Sequence, residues 1–260
     1  MGAAVIPHHV IDGPEDAEVL VLGPSIGTSL GLFDAQVAGL ADRWRIIRFD
    51  LRGHGRSPVP PGPYSIAELA GDVVELLDHL GVDRCHYLGV SIGGAIGQWL
   101  GLHHAERLLT LTICASAAQF ADPPQWPARA AAVREAGTES MVPSRLGTWY
   151  TREFAAARPD EADRLLGMLR ATSAEGYAGC CEAIGTFDTR ASLGRITVPT
   201  LVLAGADDPA TPPDTVRVIA DGIPGARFEV VPDAAHLLTA ERPSVVNALV
   251  ADHLTRRVHA

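Results

Sequence analysis

No lysine occurs in the 260 residues; all 21 Lys/Arg-type side chains are arginine. That absence excludes chemistry built on an ε-amine: Schiff bases, pyridoxal phosphate attachment and the phosphate-gripping lysine of a P-loop. Cysteine is scarce, at Cys85, Cys114, Cys180 and Cys181, and no C-x-x-C pair is among them. Zinc-knuckle and thioredoxin-like readings therefore have no support. Cys85 and Cys114 fall in apolar, strand-like runs and read as buried thiols. The vicinal Cys180–Cys181 pair reads as packing, because redox reactivity needs an activated thiolate.

Positive charge is also in deficit, and the net charge of −10 argues against nucleic acid or an anionic membrane as partner. An anionic small molecule would approach against that field, so a local group of arginines or backbone N–H groups must receive it. No apolar run approaches the ~20 residues of a membrane span. The opening residues lack the basic and apolar regions of a signal peptide, and Ile6 stands where a myristoylation signal has Ser or Thr. The expectation is a soluble, unanchored protein of the reducing cytoplasm. Hydrophobic residues at 47% suffice to bury a sizeable core without staples.

Apolar, β-rich runs are predicted at 5–11, 18–22, 44–49, 84–88, 108–113, 200–203 and 227–231. Helical spacing marks 32–40, 66–80, 92–103, 214–220 and 243–255. Leu69, Val73, Leu76, Leu77 and Leu80 show that spacing most plainly. From 119 to 192 strand signals vanish, and charged helical patterns are broken by Pro123, Pro124, Gly137, Pro143, Gly147 and Pro159. Strands alternating with helices predict an α/β fold: a mostly parallel sheet flanked by helices. Residues 1–118 and 193–260 are its expected core, and 119–192 the helical cap inserted between two of its strands.

The strongest motif is Gly89-Val90-Ser91-Ile92-Gly93, followed by Gly94, between a strand-like run and a helix-compatible one. A serine on so tight a turn needs small neighbours, and the turn aims the Ile92 N–H, at a helix N-terminus, toward the serine oxygen. The rival reading is a glycine-rich turn with an idle serine. A nucleophilic serine needs a base, and the base an orienting acid. Of the late histidines, His253 lies in the terminal helix and His259 in the tail, whereas His236 follows a strand directly. The acid comes from Asp207-Asp208, after another strand; adjacent side chains diverge, so one of the two faces His236. Asp208 is favoured by its place in G-x-x-D-x-x-T-P.

A second N–H donor for a developing oxyanion is assigned to Ile26, in Gly23-Pro24-Ser25-Ile26-Gly27-Thr28. Ser25 and Thr28 either cap that loop or touch substrate. The glycine-rich run 49–57 lacks P-loop spacing, so His54 and Arg52 read as braces for the backbone. His8–His9 and His103–His104 are adjacent pairs whose rings diverge, which suits no metal.

With these residues in place, the whole chain resembles the α/β-hydrolase superfamily and, more narrowly, its 3-oxoadipate enol-lactonases. The resemblance rests on 25–28, 89–94 and 204–213, and on two cap stretches: Gln125-Trp126-Pro127-Ala128-Arg129, and 175–184. It implies a Ser91, Asp208 and His236 triad, an acyl-enzyme, a small lactone or ester substrate, and no metal or organic cofactor. Trp126 and Trp149 would line the pocket, and Arg129 or Arg145 would meet a substrate carboxylate. Thr148 stands where the family often has Arg, and Gly23-Pro24 where an Asn-like residue is usual. Haloalkane dehalogenase and epoxide hydrolase chemistry need a carboxylate nucleophile, which Ser91 is not. A carboxylesterase or perhydrolase for small neutral esters, and a non-catalytic small-ligand binder of the same fold, remain the alternatives.

Overall fold

The structure, a computed structural model, describes residues 5–256, so His259 and the first four residues lie outside it. Among the described residues seven strands form one sheet: β1 (His9–Asp12), β2 (Val19–Gly23), β3 (Arg45–Phe49), β4 (Cys85–Val90), β5 (Leu108–Cys114), β6 (Thr200–Gly205) and β7 (Arg227–Val231). Their order is β1-β3-β2-β4-β5-β6-β7; β1 runs antiparallel to β3 and every other pair is parallel. The helices preceding the insertion are α1 (Asp34–Leu40), α2 (Ile66–His79) and α3 (Ile92–His103). Between β5 and β6 the chain inserts α4 (Gln125–Ala136), α5 (Arg152–Ala157), α6 (Pro159–Ala171) and α7 (Ala174–Gly185). It then continues through α8 (Pro213–Gly222), α9 (Leu238–Glu241) and α10 (Pro243–Arg256).

Every residue of β2, β4, β5 and β6 is buried, as expected of parallel strands covered on both faces. This explains why their sequences are mostly apolar with no alternation, the exceptions being His86, Thr110, Thr112 and Thr200. Helix α2 starts at a capping box, Ser65 with Glu68, packs against α3 and buries Leu69, Val73, Leu76 and Leu77. Pro159 opens α6 and the positive-φ Gly137 ends α4, so these two breaks are real helix ends, whereas Pro143 lies inside the short 3-10 helix Thr138–Ser144. The vicinal Cys180 and Cys181 are both buried in α7 as free thiols.

Two differences stand out. The first strand is shorter than the apolar run at 5–11, because the backbone ahead of it is spent elsewhere. The N–H of Val5 donates to Asp72 (2.8 Å) and that of His8 to Ser57 (2.8 Å), while Pro7 has none to give. Helix α9 has no counterpart in the sequence reading, since four residues are too few to show a period. No helix among the described residues is long and apolar enough to cross a membrane.

The inserted helices are tied to the sheet domain and to each other by polar contacts. The Ser173 N–H donates to the Gly53 carbonyl (3.3 Å), and the Gly62 N–H to Glu175 (2.7 Å). Arg134 of α4 grips Glu175 (2.7 Å) and Glu182 (2.6 Å) of α7. A parallel sheet gathers its functional loops at the strands' carboxyl ends. Here the segments after β2, β4, β6 and β7 carry Ile26, Ser91, Asp208 and His236.

Candidate active site

Ser91 sits between β4 and α3 at φ 59° and ψ −115°, a conformation that L-residues rarely adopt. Its N–H donates to the Cys114 carbonyl (2.9 Å) and its carbonyl accepts from Ser116 (2.8 Å), so neighbouring β5 holds the turn. Gly93 is required by close approach: a Cβ there would collide with the Gly23 carbonyl. The glycines of the motif let β2, the turn and α3 come together. Ile92 is the first residue of α3, where a backbone N–H has no intrahelical acceptor.

The Ile26 loop is a tight turn, closed by the Thr28 N–H (3.1 Å) and the Thr28 hydroxyl (2.8 Å), both donating to the Ser25 carbonyl. Thr28 thus caps the loop. Gly27 has φ +77°, the left-handed region, and a side chain there would also crowd Leu169, Tyr177 and Trp149. The Gly27 N–H donates to His54 Nε2 (3.0 Å), and His54 Nδ1 lies 3.1 Å from the Arg52 carbonyl. Burial pushes the His54 ring down to about 4, so it stays neutral: Nδ1–H donates and Nε2 accepts. His54 therefore braces the Ile26 turn, and Arg52 is paired with buried Asp72 (2.7 Å).

His236 Nδ1 lies 2.8 Å from Asp208 Oδ2. The same oxygen accepts from the Thr211 hydroxyl (2.7 Å), and Oδ1 accepts from the N–H groups of Ala210 (2.8 Å) and Thr211 (3.1 Å). Burial alone would raise the Asp208 carboxyl; the His236 ring and these donors outweigh it and hold it below the ordinary value. Asp207 is exposed while Asp208 is buried against the ring, so burial tells the adjacent carboxylates apart.

Ser91 and His236 share the wall of a cavity of about 470 Å³, the size of a small-molecule site. Among the described residues no hydrogen bond joins the Ser91 hydroxyl to the ring. Ile26 lines the same cavity, and Trp126, Arg129, Arg145 and Trp149 line it from the inserted segment. All four residues named from this segment in the sequence therefore line it. Met141, Ser144 and Phe120 also do, and no periodicity singled them out.

Arg145 is the most telling of them. It is only 8% exposed, and burial pushes its guanidinium below the usual arginine range. Its Nε donates to the Met141 carbonyl (3.2 Å) and its Nη2 to the Ser144 hydroxyl (2.8 Å). It also lies 5.6 Å from the Trp149 ring centre. Arg129 stacks 4.5 Å from the Trp126 ring and bonds Gln125 (3.1 Å). Among the described residues neither arginine pairs with a carboxylate, and no group of three or more His, Cys, Asp or Glu side chains could hold a metal ion.

A family model described as the alpha/beta hydrolase fold matches residues 18–243. The chain is an α/β-hydrolase. It is 38% identical over 238 residues to 3-oxoadipate enol-lactonase 2 of Acinetobacter baylyi, covering 92% of this chain and 89% of that one. The enol-lactonase of Burkholderia xenovorans LB400 superposes with a TM-score of 0.94 at 37% identity, covering 97% of this α/β-hydrolase and 99% of its own chain. A hydrolase of Pseudomonas aeruginosa PA01 superposes with a TM-score of 0.92 at 41% identity, covering 95% and 93%. The narrower resemblance read from the sequence is to enol-lactonases, and two of these three relatives bear that name.

Proposed function

We propose that this enzyme hydrolyses a small carboxylate-bearing lactone, 3-oxoadipate enol-lactone, to 3-oxoadipate, with 119–192 acting as a cap over the site. The observation that carries the substrate reading is Arg145, a buried cation without a carboxylate partner in the wall of the cavity that holds Ser91. Burying an unpaired charge costs stability, and a substrate carboxylate would supply the missing partner. Thr148 lacks the cation often found there in the family, and Arg145 and Arg129 offer it from elsewhere in the same cavity.

In this reading substrate binding brings Ser91 and His236 into contact, a hydrogen bond that unliganded sites often leave loose. His236 takes the Ser91 proton as the oxygen attacks the lactone carbonyl. Asp208 holds the ring with Nδ1 protonated and stabilises the imidazolium. The N–H groups of Ile26 and Ile92 receive the oxyanion, an interaction worth about 3 kcal/mol per donor. The C–O bond breaks, the enolate oxygen takes the proton from His236, and the enol becomes the ketone. Water deprotonated by His236 then cleaves the acyl-enzyme.

The test is ultraviolet loss of the enol-lactone by wild type and Ser91→Ala, with a small p-nitrophenyl ester in parallel. Lactone turnover that disappears in Ser91→Ala is the expected result. Ester turnover without lactone turnover would keep the nucleophile and discard the substrate.

A further inference from the structure

Glu241, the last residue of α9, is a carboxylate only 6% exposed, and no basic side chain among the described residues pairs with it. Its charge is met by three donors from two parts of the chain. Oε1 accepts from the Thr151 N–H (2.9 Å) and from the Thr151 hydroxyl (2.6 Å), ahead of α5. Oε2 accepts from the N–H of Ala235 (2.7 Å), the residue before His236. Two further bonds extend this seam: the His236 N–H donates to the Thr148 carbonyl (3.3 Å) and the Leu237 N–H to the Trp149 carbonyl (2.7 Å).

Three successive backbone N–H groups around His236 are therefore fixed, one by Glu241 and two by the inserted segment. The segment they meet also carries Arg145 and Trp149, which line the cavity. An isosteric neutral side chain at 241 cannot serve both ends: an amide oxygen accepts at one, and its NH2 group faces a donor at the other. A buried carboxylate without a cationic partner is a costly way to staple two segments. What it adds over an apolar contact is direction, because each oxygen fixes one backbone.

We infer that Glu241 is a positioning residue for His236, latching the loop of the base to the strip that carries the substrate-binding side chains. This rests on the reading of Ser91 and His236 as nucleophile and base. Through the latch, the ring is held where it can take the Ser91 proton, and the substrate's anchor and the base are registered to one another. A displacement of about 1 Å at a catalytic group can cost on the order of 100-fold in rate.

The experiment is the rate of Ser91 labelling by a fluorophosphonate, alongside kcat and KM for a p-nitrophenyl ester, in wild type and Glu241→Gln. Labelling forms the Ser91 Oγ–P bond, expels fluoride and passes the serine proton to His236, so it reads the base without depending on the natural substrate. The expected result is a fall of about tenfold or more in labelling rate and kcat per folded molecule, with KM within about threefold of wild type. A merely structural staple would lower Tm and leave those rates per folded molecule unchanged, and that outcome overturns the inference. Wild type inert to the probe would overturn the Ser91 reading as well, which separates the two failures. Should Glu241→Gln not fold, Glu241→Asp keeps the charge but is one methylene too short to reach Thr151 and Ala235 together; labelling at the wild-type rate in that variant overturns the inference equally.

Discussion

The Asp208 carboxylate and the His236 ring meet at 2.8 Å, and every acceptor position that Asp208 uses is turned toward the loop that follows β6 or toward that ring. Its pKa is depressed in the folded protein, so its contribution to stability is full above the ordinary value near 3.8 and is lost as pH falls through the folded value. Asp208→Asn should unfold at lower temperature than wild type at pH 7, with the gap closing as the pH drops below about 4. Its kcat should fall by on the order of 10⁴, because the wrong imidazole tautomer is favoured. Calorimetry from pH 7 to pH 3 and steady-state kinetics check both.

Ser91 holds a backbone conformation that glycine tolerates better. Ser91→Gly should therefore abolish turnover and raise stability by about 1 kcal/mol or more. A thermal scan that shows no gain over wild type would mean that the turn is relaxed by its neighbours.

Replacing Arg145 by methionine removes a buried charge without orphaning a carboxylate. The expected outcome is an unchanged or higher Tm. It should be joined by a loss of about 10- to 100-fold in kcat/KM for a carboxylate-bearing substrate, with a neutral ester little affected. An equal loss on both substrates would remove Arg145 from anion recognition.

Two buried histidines make a prediction for mild acid. Burial pushes both His54 and His253 down to about 4. A histidine lowered in the folded state binds its proton more readily when unfolded. Its contribution is therefore complete above the ordinary value near 6.5 and is lost progressively as pH falls toward 4. Each can account for roughly 3 kcal/mol over that span. Urea titrations between pH 6.5 and pH 5 should show stability falling, and His54→Gln should shed about half of the slope. A flat profile in wild type would contradict the burial-driven shift.

Much of the site was legible locally. Ser91 was marked by a run of residues next to one another in the chain: an apolar strand, glycines that permit a strained turn, then a helix. His236 was marked by following a strand, and the inserted helices between β5 and β6 by the loss of strand pattern between two regions that have it. Such features depend on periodicity and backbone freedom, which neighbouring residues determine. The same holds for the end of α4 at Gly137 and the start of α6 at Pro159.

What lay beyond that reach involves residues far apart in sequence. The place of Asp208 in G-x-x-D-x-x-T-P favoured it over Asp207, but the contact itself, 2.8 Å from His236 Nδ1 with Asp208 buried and Asp207 exposed, comes from packing. The brace from His54 to Gly27 spans 27 positions, and the latch from Thr151 to Glu241 spans 90. Nothing in a local pattern marks a buried carboxylate whose donors come from another element. So the sequence by itself determined the fold and marked the strained turn at Ser91, because these follow from local propensity and patterning. The tertiary structure alone decided how deeply Arg145 is buried in the cavity wall and that Glu241 ties the Ala235 backbone to Thr151, because those are set by three-dimensional packing and desolvation.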